Sequence, residues 1–313
     1  MSLRSQTDRL MEERTSLHVA ATVVAALLVA HPLAQTPQRD AGKVFISVDM
    51  EGITGVVQPS QLGPGGFEYG RAREWMTAEA RAAIEGARAA GATSFVIADA
   101  HGNAQSLLID QLPDDVRIVR GFPRPLSMMQ GIDESFTAAV FIGYHASEMT
   151  AEAVRGHTFS SAKLLGVTLN GMEVSEGLFN AAIAGQFGVP VVFVSGDRKA
   201  VEQMQAGIHG ITGAIVKEPL GYHSAITVTP ARGQAMIRDG VRAALANRSA
   251  ISAYRLKAPI QLEVGFKLTL DAERASYVPG LSRAGAHTVR GSYPDILQIV
   301  RLMQVLTSLE PPA

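Results

Sequence analysis

From Lys43 onward, short apolar runs alternate with stretches that have helical patterns of apolar residues. The apolar runs predict strands at Val44–Val48, Ser94–Ala98, Val116–Val119, Ala138–Gly143 and Val189–Ser195. Helices are predicted between them at Arg71–Ala90 and Ser175–Phe187, and each is followed by a glycine that can end it. Strands that are mainly continuous apolar runs and are separated by helices are typical of a parallel sheet buried on both faces. We therefore expect an α/β fold, with a mostly parallel sheet and helices on both faces.

The pattern changes in the second half of the chain. Asn170-Gly171 predicts a hairpin, because this pair supplies the positive φ angles of a type I′ turn. After Gly196 the alternation loosens, and helices at Ala231–Ala246 and Pro294–Leu309 flank a strand at Ile260–Phe266. The pattern predicts an α/β domain over residues 43–197 and a smaller C-terminal α+β lobe over residues 198–313.

The first 42 residues form a different kind of segment. An apolar run extends from Val19 to Ala30, broken only by Thr22. At 1.5 Å per residue this run is too short to cross a hydrocarbon core of about 30 Å, but it suits the apolar region of a secretory signal peptide. We predict that residues 1–42 are a signal peptide and linker, with transient membrane contact and a periplasmic or secreted product. If the leader is not a functional signal, the protein is cytoplasmic.

Charge and composition exclude several classes of function. Lys and Arg total 28 against 29 Asp and Glu, so no basic surplus exists to neutralise a nucleic-acid backbone. The sequence has no cysteine, which excludes disulfides, cysteine-ligated zinc, iron–sulfur clusters and a thiol nucleophile. Any metal site must therefore be built mainly from His, Asp and Glu.

Polar side chains follow three of the predicted strands. Asp49 and Glu51 follow the first strand, His101 follows the second, and His145 follows the Ala138–Gly143 strand. Parallel strands bring their carboxyl ends to one edge of a sheet, so these groups are expected to meet. Mixed oxygen and nitrogen ligands suit Zn²⁺ or Mn²⁺, and more than four of them favour a two-metal site.

Five ordered blocks of this sequence resemble the zinc-dependent D-aminopeptidase family. The blocks are Ser47–Gly55, Asp99–His101, Gly143–Ala146, Gly156–Thr158 and Val174–Glu176. The first contains the Ser-x-Asp-x-Glu-Gly signature of that family. The resemblance covers residues 43–197 well and is looser toward the C-terminus.

The resemblance implies a role for each matching position. Asp49 corresponds to the carboxylate that bridges two zinc ions, and His157 to the proposed catalytic histidine. The remaining metal ligands implied are Glu51, His101, His145 and Glu176. Taken alone, Glu176 is a charge at the start of a predicted helix and His157 is a loop histidine. Whether His157 moves protons or attacks the substrate stays open.

The function implied by the resemblance is metal-dependent hydrolysis of the N-terminal peptide bond of short peptides. The first residue is expected to be a D-amino acid such as D-Ala, the cofactor two Zn²⁺ per chain (Mn²⁺ also fits the ligands), and the assembly a ring-shaped homo-oligomer. Two alternatives stay open: a two-metal hydrolase of another amide or a phosphoester, and a non-enzymatic exported solute-binding protein.

Overall fold

The computed structural model describes residues 42–308. The first five apolar runs predicted as strands form five adjacent strands of a seven-stranded sheet. In spatial order its strands are β3 (Val116–Val119), β2 (Ser94–Asp99), β1 (Lys43–Val48), β4 (Ala138–Tyr144), β7 (Val191–Asp197), β8 (Thr212–Gly221) and β9 (Ser224–Thr227). All neighbouring pairs are parallel except β8 and β9. β4 and β7 are buried along their whole length, as continuous apolar strands require.

Two pairs of helices flank this sheet. α1 (Tyr69–Ala89) packs against α4 (Pro230–Ala246), whereas α2 (Glu176–Gln186) packs against α3 (Arg198–Gly207). α2 and α3 begin at polar caps, because the side chains of Ser175 and Asp197 accept hydrogen bonds from the backbone of the first turn of each helix.

A second, antiparallel sheet of five strands contains, in spatial order, β11 (Ser282–Arg283), β12 (Thr288–Tyr293), β10 (Ile260–Phe266), β5 (Leu164–Leu169) and β6 (Met172–Glu173). α5 (Thr269–Ala275) contacts β10 and β12, and α6 (Ile296–Ser308) contacts β12 and α2. Asn170 and Gly171 connect β5 to β6 with φ angles of 52° and 78°, so the predicted two-residue hairpin is present.

The fold class predicted from the sequence is confirmed, since a mostly parallel sheet flanked by helices is joined by an antiparallel sheet. β8 and β9 continue the parallel sheet beyond Asp197, and β5 and β6 join the antiparallel sheet from before it. The predicted division at Asp197 therefore falls between β7 and α3, and the separation into two lobes stays a prediction. The predicted signal peptide lies outside the described residues. Within residues 42–308, no helix has the length and apolarity needed to cross a bilayer.

The strand order explains where a ligand can bind. Chain order runs outward from β1 through β2 to β3 on one side, and continues with β4 and β7 on the other. In open parallel sheets this reversal leaves a crevice at the carboxyl ends of the two central strands. The segments that follow β1, β2 and β4 meet at that crevice.

Candidate metal centre

The six residues singled out from the sequence come together at the carboxyl ends of β1, β2 and β4. Five of them line a cavity of about 570 Å³: Asp49, Glu51, His101, His157 and Glu176. The sixth, His145, is buried beside them and contacts Asp49 and Glu176. The side chains form two groups of three that could each hold a metal ion.

The first group combines the β1 and β2 segments. His101 Nδ1 lies 2.9 Å from Glu51 Oε2 and 3.3 Å from Asp49 Oδ1. Asp49 and Glu51 lie on the turn after β1, and His101 lies two residues after the end of β2. All three side chains are buried, so two carboxylates and one imidazole share a region of low dielectric.

The second group contains His145, His157 and Glu176. His145 Nε2 lies 3.3 Å from Glu176 Oε2, and His157 Nε2 lies 3.6 Å from Glu176 Oε1. The two imidazole rings stack, with centroids 4.0 Å apart and planes 7° from parallel. Glu176 is the first residue of α2, and the hairpin before that helix directs it back toward the parallel sheet.

Asp49 lies between the two groups. Its Oδ1 faces His101 Nδ1 and its Oδ2 faces His145 Nε2, each at 3.3 Å. Within the described residues, the buried atoms Asp49 Oδ2 and His145 Nε2 have no hydrogen-bond partner. Buried polar atoms without partners are costly, and a cation between them would satisfy both. The donor set of this site therefore fits metal binding.

The three histidines have one ring nitrogen each held by a backbone carbonyl. The pairs are His101 Nε2 with Leu62 O at 2.7 Å, His145 Nδ1 with Ala146 O at 3.0 Å, and His157 Nδ1 with Arg155 O at 2.9 Å. A nitrogen that donates to a carbonyl carries the proton, so the opposite nitrogen presents its lone pair. In each ring that opposite nitrogen faces the carboxylates, as a metal ligand must.

The charges of the site are strongly linked. Burial opposes ionisation of Glu51, but the neighbouring His101, His157 and His145 hold the pKa of Glu51 well below its ordinary value. Burial also opposes a charged His101, yet Glu51 and Asp49 hold the pKa of His101 well above its usual range. Burial likewise opposes a charged His145, yet Glu176 and Asp49 hold the pKa of His145 well above its usual range. In the absence of a metal ion, protons on His101 and His145 thus offset the carboxylates. A metal ion must displace those protons, so acidic pH is expected to weaken metal binding.

The loop that carries His157 has a strained backbone. Arg155 and Phe159, two residues before and after it, adopt φ angles of 55° and 61°. Positive φ is unusual for side chains of this size and is found where surrounding contacts impose it. One such contact joins this loop to the site, since the Phe159 N–H donates to Glu176 Oε1 at 2.6 Å.

Two glycines of the sequence blocks are explained by close packing. Gly52 N–H donates to Gly143 O at 2.7 Å, which ties the turn after β1 to β4. A Cβ on Gly52 would lie 2.1 Å from the carbonyl oxygen of Tyr144. A Cβ on Gly143, whose φ is 71°, would lie 2.3 Å from the carbonyl oxygen of Asp49. Only glycine permits the two segments to approach this closely.

Gly143→Ala is expected to lower the free energy of unfolding by about 3 kcal/mol, because strain at positive φ adds to a clash with the Asp49 backbone. Denaturant titration of the zinc-free protein measures the loss. Gly91→Ala is the matched control, since Gly91 also has positive φ (94°) but nothing within 4 Å of its Cβ position. We expect about 1 kcal/mol there. Equal losses in the two variants would show that crowding beside Asp49 is unimportant.

The opposite wall of the cavity was not predicted from the sequence. Phe122, Pro123, Ser127 and Met128, from the segment between β3 and β4, line it together with Gln304 and Thr307 of α6. None belongs to a charged or glycine-rich motif. The sequence Phe122-Pro123 places two apolar residues side by side, but such a pair does not by itself indicate a binding site.

Asp99, His223 and His287 carry groups that could bind a metal ion, but they lie outside the cavity lining. Asp99 is buried and accepts a hydrogen bond from Leu107 N at 2.7 Å, so it holds the loop that follows His101. His223 and His287 interact with backbone carbonyl groups away from the cavity lining. They contribute no ligand to the two groups.

A buried cluster of carboxylates and imidazoles at the switch point of a parallel sheet is a metal site of the kind that metal-dependent hydrolases use. A family model described as D-aminopeptidase matches residues 43–305. The chain belongs to this family of metallo-aminopeptidases, which confirms the resemblance seen in the sequence.

Individual relatives agree with this assignment. The D-aminopeptidase of Bacillus subtilis (strain 168) is 30% identical over 271 residues, covering 85% of this chain and 97% of the relative. A solved structure of a zinc-dependent D-aminopeptidase from Bacillus subtilis, described as a self-compartmentalizing protease, superimposes with a TM-score of 0.83. It also has 30% sequence identity and covers 85% of this chain and 97% of its own.

Proposed function

We propose that this metallo-aminopeptidase removes a D-amino acid such as D-Ala from the N-terminus of short peptides, using two zinc ions per chain. The observation that carries the proposal is the position of Asp49, whose two oxygens face histidines of the two ligand groups. The zinc dependence of the solved relative supports the choice of metal. Mn²⁺ suits the same ligands.

The geometry of the described residues supports the ligand roles that the family resemblance implies. Asp49 would be shared by both ions; Glu51 and His101 would complete one site, and His145 and Glu176 the other. Zinc supplies Lewis-acid polarisation of the scissile carbonyl and lowers the pKa of water toward ~7. The free amine of the substrate would meet a carboxylate or a metal ion of this site, which favours cleavage at the N-terminus.

His157 is the candidate for proton transfer. Its Nδ1 is held by the Arg155 carbonyl, whereas its Nε2 faces the cavity between Glu51 at 4.0 Å and Glu176 at 3.6 Å. A histidine in this arrangement can accept a proton on one nitrogen while the other keeps the ring in place. Phe122 and Phe159 line the same cavity and give it an apolar surface.

Hydrolysis of paired D-Ala and L-Ala nitroanilides, with and without a chelator, tests the proposal. We expect the D-Ala substrate to be cleaved at least about tenfold faster in kcat/KM, because a shaped cavity discriminates groups of methyl size by factors of this order. Chelation should abolish cleavage and added zinc should restore it. Equal rates for both substrates would refute the handedness, and chelator-resistant cleavage would refute the metal role. Cleavage of a nitrophenyl phosphate instead of either anilide would favour a phosphoesterase.

We further propose that the protein is an exported homo-oligomer. The self-compartmentalizing character of the solved relative supports assembly into a ring. Exposed apolar side chains such as Phe67, Tyr277 and Met149 are available for contacts between subunits. Light scattering of the purified protein measures the assembly, and a monomer would refute it.

Export rests on the leader sequence, and N-terminal sequencing of the mature protein tests whether that leader is removed.

A further inference from the structure

A buried lysine holds the backbone of the turn that carries Glu51. Lys217 lies within β8 and is 1% exposed. Its Nζ donates to three carbonyl oxygens of this turn: Glu51 at 2.5 Å, Ile53 at 3.0 Å and Val56 at 2.5 Å. A lysine ammonium has three N–H donors, so all of them are directed at one segment of backbone.

The nearby carboxylates have other partners. Asp197, opposite Lys217 in the register of β7 and β8, accepts hydrogen bonds from the N–H groups of Val154 and Ala200. Glu79 of α1 accepts from Thr54 N at 2.9 Å. Among the described residues, the hydrogen bonds of the Lys217 ammonium go to the carbonyls of the turn and none joins it to a carboxylate. The ammonium is thus committed to the turn.

Burying an ammonium is costly, and a sheet interior is normally filled by apolar side chains. The structure offers a reason for this exception. Three carbonyls of the turn from Glu51 to Val56 are directed at the Lys217 ammonium. One of them belongs to Glu51, whose carboxylate lies 2.9 Å from His101 Nδ1. Fixing the main chain of Glu51 therefore fixes where its side chain starts.

We propose that Lys217 is a positioning residue for the metal centre: it holds the turn after β1 so that Glu51 presents its carboxylate beside Asp49 and His101. This inference rests on the proposed metal-binding function. Partners that orient metal ligands commonly change metal affinity 10- to 100-fold when they are removed. Lys217 differs from such partners in acting on the backbone of the ligand residue.

Zinc affinity of the isolated protein, measured by competition with a fluorescent chelator, tests the proposal. Lys217→Met keeps the length and apolar body of the side chain and removes the donors. We expect its zinc dissociation constant to rise at least about tenfold. Lys267→Met is the control for losing a contact between a lysine and a backbone carbonyl, because Lys267 donates to Ser161 O at 2.6 Å but lies outside the cavity lining. Lys267 is more exposed than Lys217 and also pairs with Glu148 at 2.9 Å. The zinc affinity of Lys267→Met should stay within about threefold of the parent protein, by the same scale.

A second measurement separates positioning from general stability. Thermal unfolding is recorded with and without zinc for the parent, Lys217→Met and Lys217→Gln, the last of which keeps two amide donors. A purely structural lysine would lower both melting temperatures equally, whereas a positioning lysine also reduces the increase produced by zinc. We expect that increase to shrink most in Lys217→Met and less in Lys217→Gln.

Each outcome decides the matter. An unchanged zinc affinity in a folded Lys217→Met variant would overturn the proposal. If neither Lys217 variant folds even with zinc, the lysine serves the fold as a whole and the proposal is also overturned. If the parent protein itself binds no zinc, the proposed function fails first, and this result is distinguishable because it precedes any substitution.

Discussion

Asp49→Asn is expected to reduce the zinc content from the proposed two ions to one or fewer per chain and to lower kcat/KM by about 10³-fold, equivalent to about 4 kcal/mol of transition-state stabilisation. The physical reason is that both oxygens of Asp49 are directed at ligand groups, at 3.3 Å from His101 and from His145. An amide keeps the shape of the side chain but offers one neutral oxygen, so it cannot serve both groups. Elemental analysis and steady-state kinetics measure the two losses.

Asp99→Asn is the matched control for this substitution. Asp99 is also a buried aspartate at the carboxyl end of a central strand, but its Oδ2 binds Leu107 N. Burial raises the pKa of Asp99, so a neutral amide suits its surroundings better than it would suit those of Asp49. We expect Asp99→Asn to retain both ions. If both variants lose metal alike, the effect reflects buried charge in general; if Asp49→Asn retains two ions and full activity, the shared-ligand assignment is wrong.

The central strands and the location of the site could be predicted because both depend on local pattern and simple topology. Continuous apolar runs predicted β1, β2 and β4, and parallel strands bring their ends together whatever the details of the loops. Asp49, His101 and His145 therefore met as expected. Their chemistry was readable because the cysteine-free sequence leaves only carboxylates and imidazoles as strong metal ligands.

Glu176 and His157 could not be placed by the same argument. Glu176 reaches the site through a chain of tertiary events: the β5–β6 hairpin reverses the chain, and the cap at Ser175 starts α2 beside the cavity. His157 depends on a loop that no hydrophobic pattern encodes. Three residues of this loop have positive φ: Glu152, Arg155 and Phe159. For these two residues the resemblance to a family carried information that composition and spacing lacked.

β8 was not predicted from the sequence, and its residues explain why. β8 is interrupted by Lys217, Glu218 and Pro219, so it lacks the continuous apolar run that identifies β4 and β7. The lysine is tolerated there because the turn after β1 supplies three carbonyl acceptors. A contact between segments more than 160 residues apart thus decides whether a charged residue can be buried in this strand. A stretch of neighbouring residues in the sequence cannot show that distant carbonyl groups stabilise this lysine.

His157→Ala is expected to retain both metal ions while lowering kcat by about 10²- to 10⁴-fold, the usual contribution of a positioned proton-transfer group. His157 Nε2 lies 3.6 Å from Glu176 and 4.0 Å from Glu51, farther than the closest contacts between the other histidines and carboxylates of the site. Because the ligand groups retain their other side chains, metal content should be unaffected. Elemental analysis and kcat measured with saturating substrate provide the test.

His287→Ala is the control, since His287 Nδ1 is also paired with a backbone carbonyl, that of Phe266 at 2.9 Å, but His287 does not line the cavity. We expect it to retain kcat and both ions. Free imidazole adds a further distinction, because the space left by the His157 ring opens into a cavity of about 570 Å³ that can admit it. Partial recovery of turnover with imidazole would support proton transfer by His157. Loss of one metal ion in His157→Ala would instead make His157 a ligand beside His145 and Glu176, since these three side chains are close enough to hold an ion together.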